Sequence, residues 1–177
     1  MRIRTPFSFT NIAFSVALLV FMLAASSIVF STSVVPDTRV SDFTLDDQFE
    51  QPQAVKFAGK HTIVMTGDRK GADLMRVWEE KLTKAFGSKV QIVRVAYFKG
   101  MPFFVPRGLA RNEIKDKYPK SSVLCDWDGT ISGQFGYTGG AQLYYCDPNA
   151  IIRATASGEW SVERSQLFVG SIQTFLH

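Results

Sequence analysis

From Ile12 to Val35 the chain runs for 24 residues without a charged side chain, and the eleven residues ahead carry Arg2 and Arg4 but no acid. A helix of that length spans roughly 36 Å, enough for a hydrocarbon core of about 30 Å, so a single transmembrane helix is predicted there. Positive charge ahead of it favours a cytoplasmic N-terminus and puts everything after Pro36 on the far side of the membrane. The competing reading is a cleaved secretory signal, since the back half is rich in small polar residues and Ser31 with Ser33 could form a small-residue cleavage site. Signal cores run about 7 to 15 apolar residues, and this stretch is longer, which selects a retained anchor. Ala13, Ala17, Ala24, Ala25, Ser26 and Ser27 would let another helix pack closely against it. The expected segmentation is a cytoplasmic tip over residues 1–11, an anchor over 12–35, a polar linker over 36–41 and one globular domain over 42–177.

The 142 residues from Pro36 onward are the size of one domain with one continuous core. They hold 18 Lys and Arg against 16 Asp and Glu, a balance too weak to point to nucleic acid. His61 and His177 are the two histidines, and no Cys/His cluster has metal-ligand spacing, so neither a metal nor a cofactor is expected.

Hydropathy patterning orders the elements. Residues 42–47 and a piece within 48–57 predict a β-hairpin, and residues 61–65 a buried strand. Leu74, Trp78, Leu82 and Ala85 fall on one face of a helix over 68–86. The β-branched run over 90–97 is the strongest strand. A proline-bounded loop follows, then a short helix over 109–118 and a short strand over 122–125. A helical turn is expected over 130–135, strands over 141–146 and 151–156, and a closing helix over 162–176. A hairpin, then βαβα, then a strand, then ββα implies an α/β domain: a mixed sheet with helices on both faces.

That order, with particular words, resembles the thioredoxin fold in its peroxiredoxin-like, or redoxin, form. The words are Asp42-Phe-Thr-Leu-Asp46, Gly59-Lys60 before the strand, Trp78 with Leu82 in the first long helix, and Val123-Leu-Cys-Asp126 with Gly129. Phe135-Gly136-Tyr137 then precedes Leu143-Tyr-Tyr-Cys-Asp-Pro148. The resemblance implies a nucleophilic cysteine in the loop after the strand at 61–65, at a helix N-terminus that lowers its pKa, and a cis-proline facing it before the strand at 141–146. Here the first loop reads Thr66-Gly-Asp-Arg-Lys-Gly-Ala-Asp73 and the second Gly139-Gly140-Ala141. Both elements of that site are replaced, which leads to the expectation of a domain that is not an enzyme.

Three groups of residues remain as candidates. Cys125 and Cys146 form an even pair on the oxidising side of the predicted topology; a structural disulfide, two packed free thiols and a catalytic thiol are all open. Arg69 and Lys70, at a helix N-terminus, could hold a small anion. Phe98, Met101, Phe103, Phe104 and Val105, followed by Arg107 and Arg111, either fill the core or form a surface for a protein partner or lipid; Phe98, Phe103, Phe104 and Arg107 are the partner-binding candidates. Asp126-Trp-Asp-Gly-Thr130 resembles the nucleophile motif of haloacid-dehalogenase-like phosphatases. Only 47 residues follow it, without a lysine, so Asp126 and Asp128 are read as turn formers.

The expected function is therefore a non-catalytic accessory or scaffold subunit of an integral membrane protein complex. It would sit in a bacterial-type inner membrane through residues 12–35, with its domain in the periplasm. The rivals are a thiol-disulfide oxidoreductase or peroxidase using Cys125 or Cys146, and a small-anion binding module.

Overall fold

The computed structural model describes residues 37–176. The tip and anchor expected over residues 1–35 lie outside them, and among the described residues no helix is long and apolar enough to cross a membrane.

Strands β1 (Phe43–Asp46) and β2 (Pro52–Val55) pair as an antiparallel hairpin. The main sheet comprises β3 (Thr62–Gly67), β4 (Gln91–Tyr97), β5 (Leu124–Asp126), β6 (Ala141–Cys146) and β7 (Ile152–Ser157), in the order β5-β4-β3-β6-β7. The first three run parallel, and β6 and β7 are antiparallel additions. Helices α1 (Ala72–Phe86), α2 (Arg107–Lys117), α3 (Thr130–Gln134) and α4 (Val162–Gln173) fill the connections. The predicted order of elements holds, and the mixed α/β reading with it.

Every residue of β3 is buried, because it is the central strand and both faces of the sheet are covered. Its side chains alternate between two cores. Ile63 and Met65 meet Trp78 and Leu82 of α1 and Phe168 and Ile172 of α4. Val64 lies on the opposite face with Phe43, Phe57, Ile131 and Phe135, so the hairpin and the short α3 cover that side. Helix α2 buries none of its side chains and contributes to neither core.

The linker expected over 36–41 is corrected by these contacts. The Val40 N–H donates to the Ala150 carbonyl at 2.8 Å, the Ile152 N–H donates to the Thr38 carbonyl at 3.0 Å, and the Val40 side chain lies in the core beside Phe43. The open edge beside β7 supplies backbone partners, and Val40 is apolar enough to repay burial.

Two buried polar side chains set the loops. Asp147 accepts from the Asn149 and Ile151 N–H groups and from Arg153 Nε at 2.8 Å. Gln48 is fully buried; its amide donates to the Tyr118 and Ser121 carbonyls and its oxygen accepts from the Val123 N–H. Gln48 thus ties the β1–β2 hairpin to the exit of α2, which has no buried side chain of its own.

Trp78 is the largest fully buried residue. Its indole N–H donates to the Gly158 carbonyl at 2.9 Å, and its ring meets Trp160 and Phe168 edge-on at 4.6 and 6.0 Å. Trp78→Ala is expected to cost about 3–5 kcal/mol, read as a lower denaturation midpoint in equilibrium unfolding; a midpoint within error of wild type would contradict this packing.

Candidate functional site

β3 and β6 are antiparallel neighbours, with Gly67 paired to Ala141, so the loop leaving β3 and the loop entering β6 meet at one end of the sheet. Asp68 joins them. Its Oδ1 accepts from the Lys70 and Gly71 N–H groups, both at 2.9 Å, and its Oδ2 accepts from the Gly140 N–H at 3.1 Å. The Asp68 N–H donates to Tyr137 Oη at 2.8 Å, and that hydroxyl donates onward to the Gly140 carbonyl at 2.9 Å. Burial, reinforced by the Asp68 carboxylate, pushes the Tyr137 phenol well above its ordinary range, so it stays protonated and able to donate.

The glycines make this closure feasible. A Cβ on Gly71 would lie 2.3 Å from the Gly140 carbonyl oxygen, so the two loops touch backbone to backbone. Gly139 and Gly140 have φ of 130° and 71°, which side-chain-bearing residues rarely adopt.

The anion site expected at Arg69 and Lys70 is corrected accordingly. The chain's own Asp68 carboxylate takes the Lys70 and Gly71 N–H groups that would have faced an anion. Arg69 is exposed and lies 3.8 Å from Glu113 of α2.

Cys125 and Cys146 are both free and buried. They lie on β5 and β6, with β4 and β3 between them. Three strand spacings alone put about 14 Å between them, and the register adds an offset along the strands, whereas a disulfide needs Cα atoms within about 7 Å, so the bonded option is removed. Burial pushes the Cys125 thiol up to about 11, with the Arg111 guanidinium opposing it only in part. Burial, with the Asp147 carboxylate adding to it, pushes Cys146 up to about 12.

The aromatic loop stands at the same end of the sheet as Asp68. Phe98 stacks on Trp127 at 4.3 Å, with Arg107 and Arg111 over the indole at 5.0 and 5.2 Å. Phe103 and Phe104 contact each other edge-on at 5.8 Å and are exposed by 99% and 73%. A cleft of about 250 Å³ opens among Phe98, Met101, Phe103, Val105, Arg107 and Trp127. The core-filling alternative for this loop therefore fails at Phe103 and Phe104. Of the four partner-binding candidates, Phe98, Phe103 and Arg107 line the cleft, and Phe104 packs against Phe103. Trp127, between the expected turn formers Asp126 and Asp128, joins these candidates at the cleft, and no signal in the sequence pairs it with Phe98. Tyr137 had no signal pairing it with Asp68, 69 residues away.

No protein-family model and no curated protein sequence matches the chain. Solved structures do. One assigned as the thiol:disulfide interchange protein DsbE of Chlorobium tepidum aligns with a TM-score of 0.63 at 15% identity, covering 80% of this chain and 97% of its own. The exposed lipoprotein thioredoxin Etrx1 of Streptococcus pneumoniae gives 0.58 at 15% identity, covering 73% and 98%. Peroxidoxin BcpB of Mycobacterium tuberculosis gives 0.54 at 18%, covering 78% and 96%. The fold is thioredoxin-like.

The resemblance read from the sequence is upheld at the level of the fold, and the two cysteines form no pair in it. The expectation that the chain is not an enzyme is overturned by the same matches, since structures sharing this fold include a thiol:disulfide interchange protein and a peroxidoxin. Loss of a cysteine from one loop removes one chemical route; it does not bear on the other groups that a thioredoxin-like scaffold can present.

Two outcomes are expected from this geometry. Raised thiol pKa values leave almost no thiolate at pH 7 to 9, so an aromatic disulfide reagent should label neither Cys125 nor Cys146 until denaturant is added; prompt labelling of the native chain would contradict the burial. Asp68→Ala strips the Lys70 and Gly140 N–H groups of their acceptor, while the Gly71 N–H keeps the Asp68 carbonyl at 3.1 Å, and should cost about 1–3 kcal/mol, with Asp68→Asn losing less, by thermal or chemical unfolding.

Proposed function

We propose that the chain is a single-pass protein of a bacterial-type inner membrane, anchored by residues 12–35 with residues 1–11 cytoplasmic and a periplasmic thioredoxin-like domain. The domain serves as an accessory subunit of a larger membrane assembly and engages it through the surface formed by the loop at 98–106 and α2. The observation that carries this reading is the exposure of Phe103 and Phe104 together on one loop, by 99% and 73%, where the next most exposed aromatics among the described residues, Phe49 and Phe175, stand at 41% and 39%. The uncharged stretch at 12–35 and the two arginines ahead of it supply the membrane and the orientation. Among the matching folds, one belongs to an exposed lipoprotein thioredoxin, consistent with such a setting.

Thiol chemistry is the second reading, and one observation favours it. Arg111 lies close enough to Cys125 to lower its pKa, as a guanidinium beside a reactive thiol would. Burial outweighs it.

Purification of the tagged full-length chain from its native membrane in mild detergent, with mass spectrometry of the intact chain and its companions, tests the proposal. The expected result is an uncleaved chain in a stoichiometric membrane complex, unchanged when Cys125 and Cys146 are both replaced by Ala. A processed chain that travels alone would overturn it, and loss of function in a folded double variant would transfer the proposal to the thiols.

A further inference from the structure

We infer that Met101 is a modification site: the one sulfur among the described residues that a hydroperoxide reaches, and that it converts to a sulfoxide while the domain stays folded. The inference goes beyond the accessory role and does not depend on it.

Exposure separates the sulfurs. Among the described residues Met65, Met75, Cys125 and Cys146 are buried, whereas Met101 is partly exposed and lines the cleft that opens beside Trp127. Reactivity divides them the same way. A thiol reacts with peroxide as its thiolate, and burial pushes Cys125 up to about 11 and Cys146 up to about 12, so almost no thiolate is present at neutral pH. A thioether has no proton to lose, and its sulfur lone pair is nucleophilic at any pH. That lone pair attacks one peroxide oxygen, so an S–O bond forms and the O–O bond breaks. The proton of the attacked oxygen passes to the departing one, which leaves as water or an alcohol. The sulfur gives up two electrons and the peroxide takes them.

The loop holds Met101 at the cleft. Its N–H donates to the Phe98 carbonyl at 2.8 Å, and the Val105 N–H donates to the Pro102 carbonyl at 2.9 Å, so two successive turns bracket it. The surroundings accommodate the product. A sulfoxide oxygen is a polar acceptor, and Lys99 and Arg107, which line the same cleft, make no ion pair among the described residues. Arg107 lies over the Trp127 ring at 5.0 Å, so a new acceptor for its guanidinium alters the polarity around the indole. Met65 and Met75 lack such room. Both pack in the core with Trp78 and Leu82, and the Met75 sulfur occupies the space that a Cβ on Gly67 would need. An added oxygen there breaks the packing, whereas at Met101 it changes only a surface.

The test exposes the full-length chain in detergent to hydrogen peroxide, quenches with catalase and maps each sulfur by mass spectrometry of its peptides. Met101 should gain one oxygen about tenfold or more faster than Met65 and Met75, at one rate between about pH 6 and about pH 9, with both cysteines unmodified. The melting temperature should not change. Tryptophan emission should shift with the same time course. The shift should be absent in Met101→Leu and reproduced without peroxide in Met101→Gln, whose amide oxygen supplies the polar acceptor; circular dichroism checks that both variants fold. Oxidation of the three methionines at one rate, a first oxygen on Cys125 or Cys146, or a rate that climbs with pH would overturn the inference. Unfolding on oxidation of Met101, or emission that shifts equally in folded Met101→Leu, would do the same.

Discussion

One carboxylate organises the end of the sheet where this fold presents its functional loops. Asp68 accepts three backbone N–H groups, two at the start of α1 and one from Gly140. It can do so because β3 and β6 are hydrogen-bonded neighbours whose loops emerge together. Three backbone donors hold this carboxylate in one position just ahead of α1. Tyr137 closes the ring from the other side. The resemblance to redoxins implies a thiol and a proline at these two positions. Here a direct bond holds the loops together, and Gly71 and Gly140 approach too closely to admit a side chain between them.

The thiols are governed by a different balance. Cys146 lies on β6, inside the sheet, and Cys125 on the edge strand β5; both are buried, and loss of hydration disfavours each thiolate more than any neighbour favours it. At Cys146 the adjacent Asp147 adds repulsion. At Cys125 the Arg111 guanidinium acts in the opposite sense and yields to burial. A reactive thiol at Cys146 would require β6 to open, and opening a strand inside a sheet costs much of the stability of the domain.

The periphery is built more sparingly than the core. Trp78 and its aromatic neighbours lock α1 and α4 to one face, whereas α2 relies on the Gln48 staple at its exit, the Arg111–Glu50 ion pair and the stacking of Arg107 and Arg111 on Trp127. Exposed ion pairs and cation–π contacts contribute about 1 kcal/mol or less each. The element that carries the exposed aromatic and basic surface is therefore the least firmly held, a property suited to a surface completed by a partner.

Much of this was legible in the residues themselves. The order of strands and helices follows from periodicity, because a β-branched run such as residues 90–97 and a one-faced helix such as that of Trp78 and Leu82 declare themselves locally. The aromatic loop and its arginines were legible as a group, since they are contiguous. Which strands are neighbours was not, and that topology separates Cys125 from Cys146, turns residues 38–40 from linker into domain, and brings Asp68 to Gly140 and Tyr137. Trp127 joined the Phe98 cleft for the same reason. Local sequence determines which segments are helix, strand or turn, because those preferences are settled within a few residues. Tertiary structure alone decided that the loop of Asp68 is closed, that the thiols are buried apart and that Phe103 and Phe104 face outward, because each depends on contacts between residues far apart in the chain.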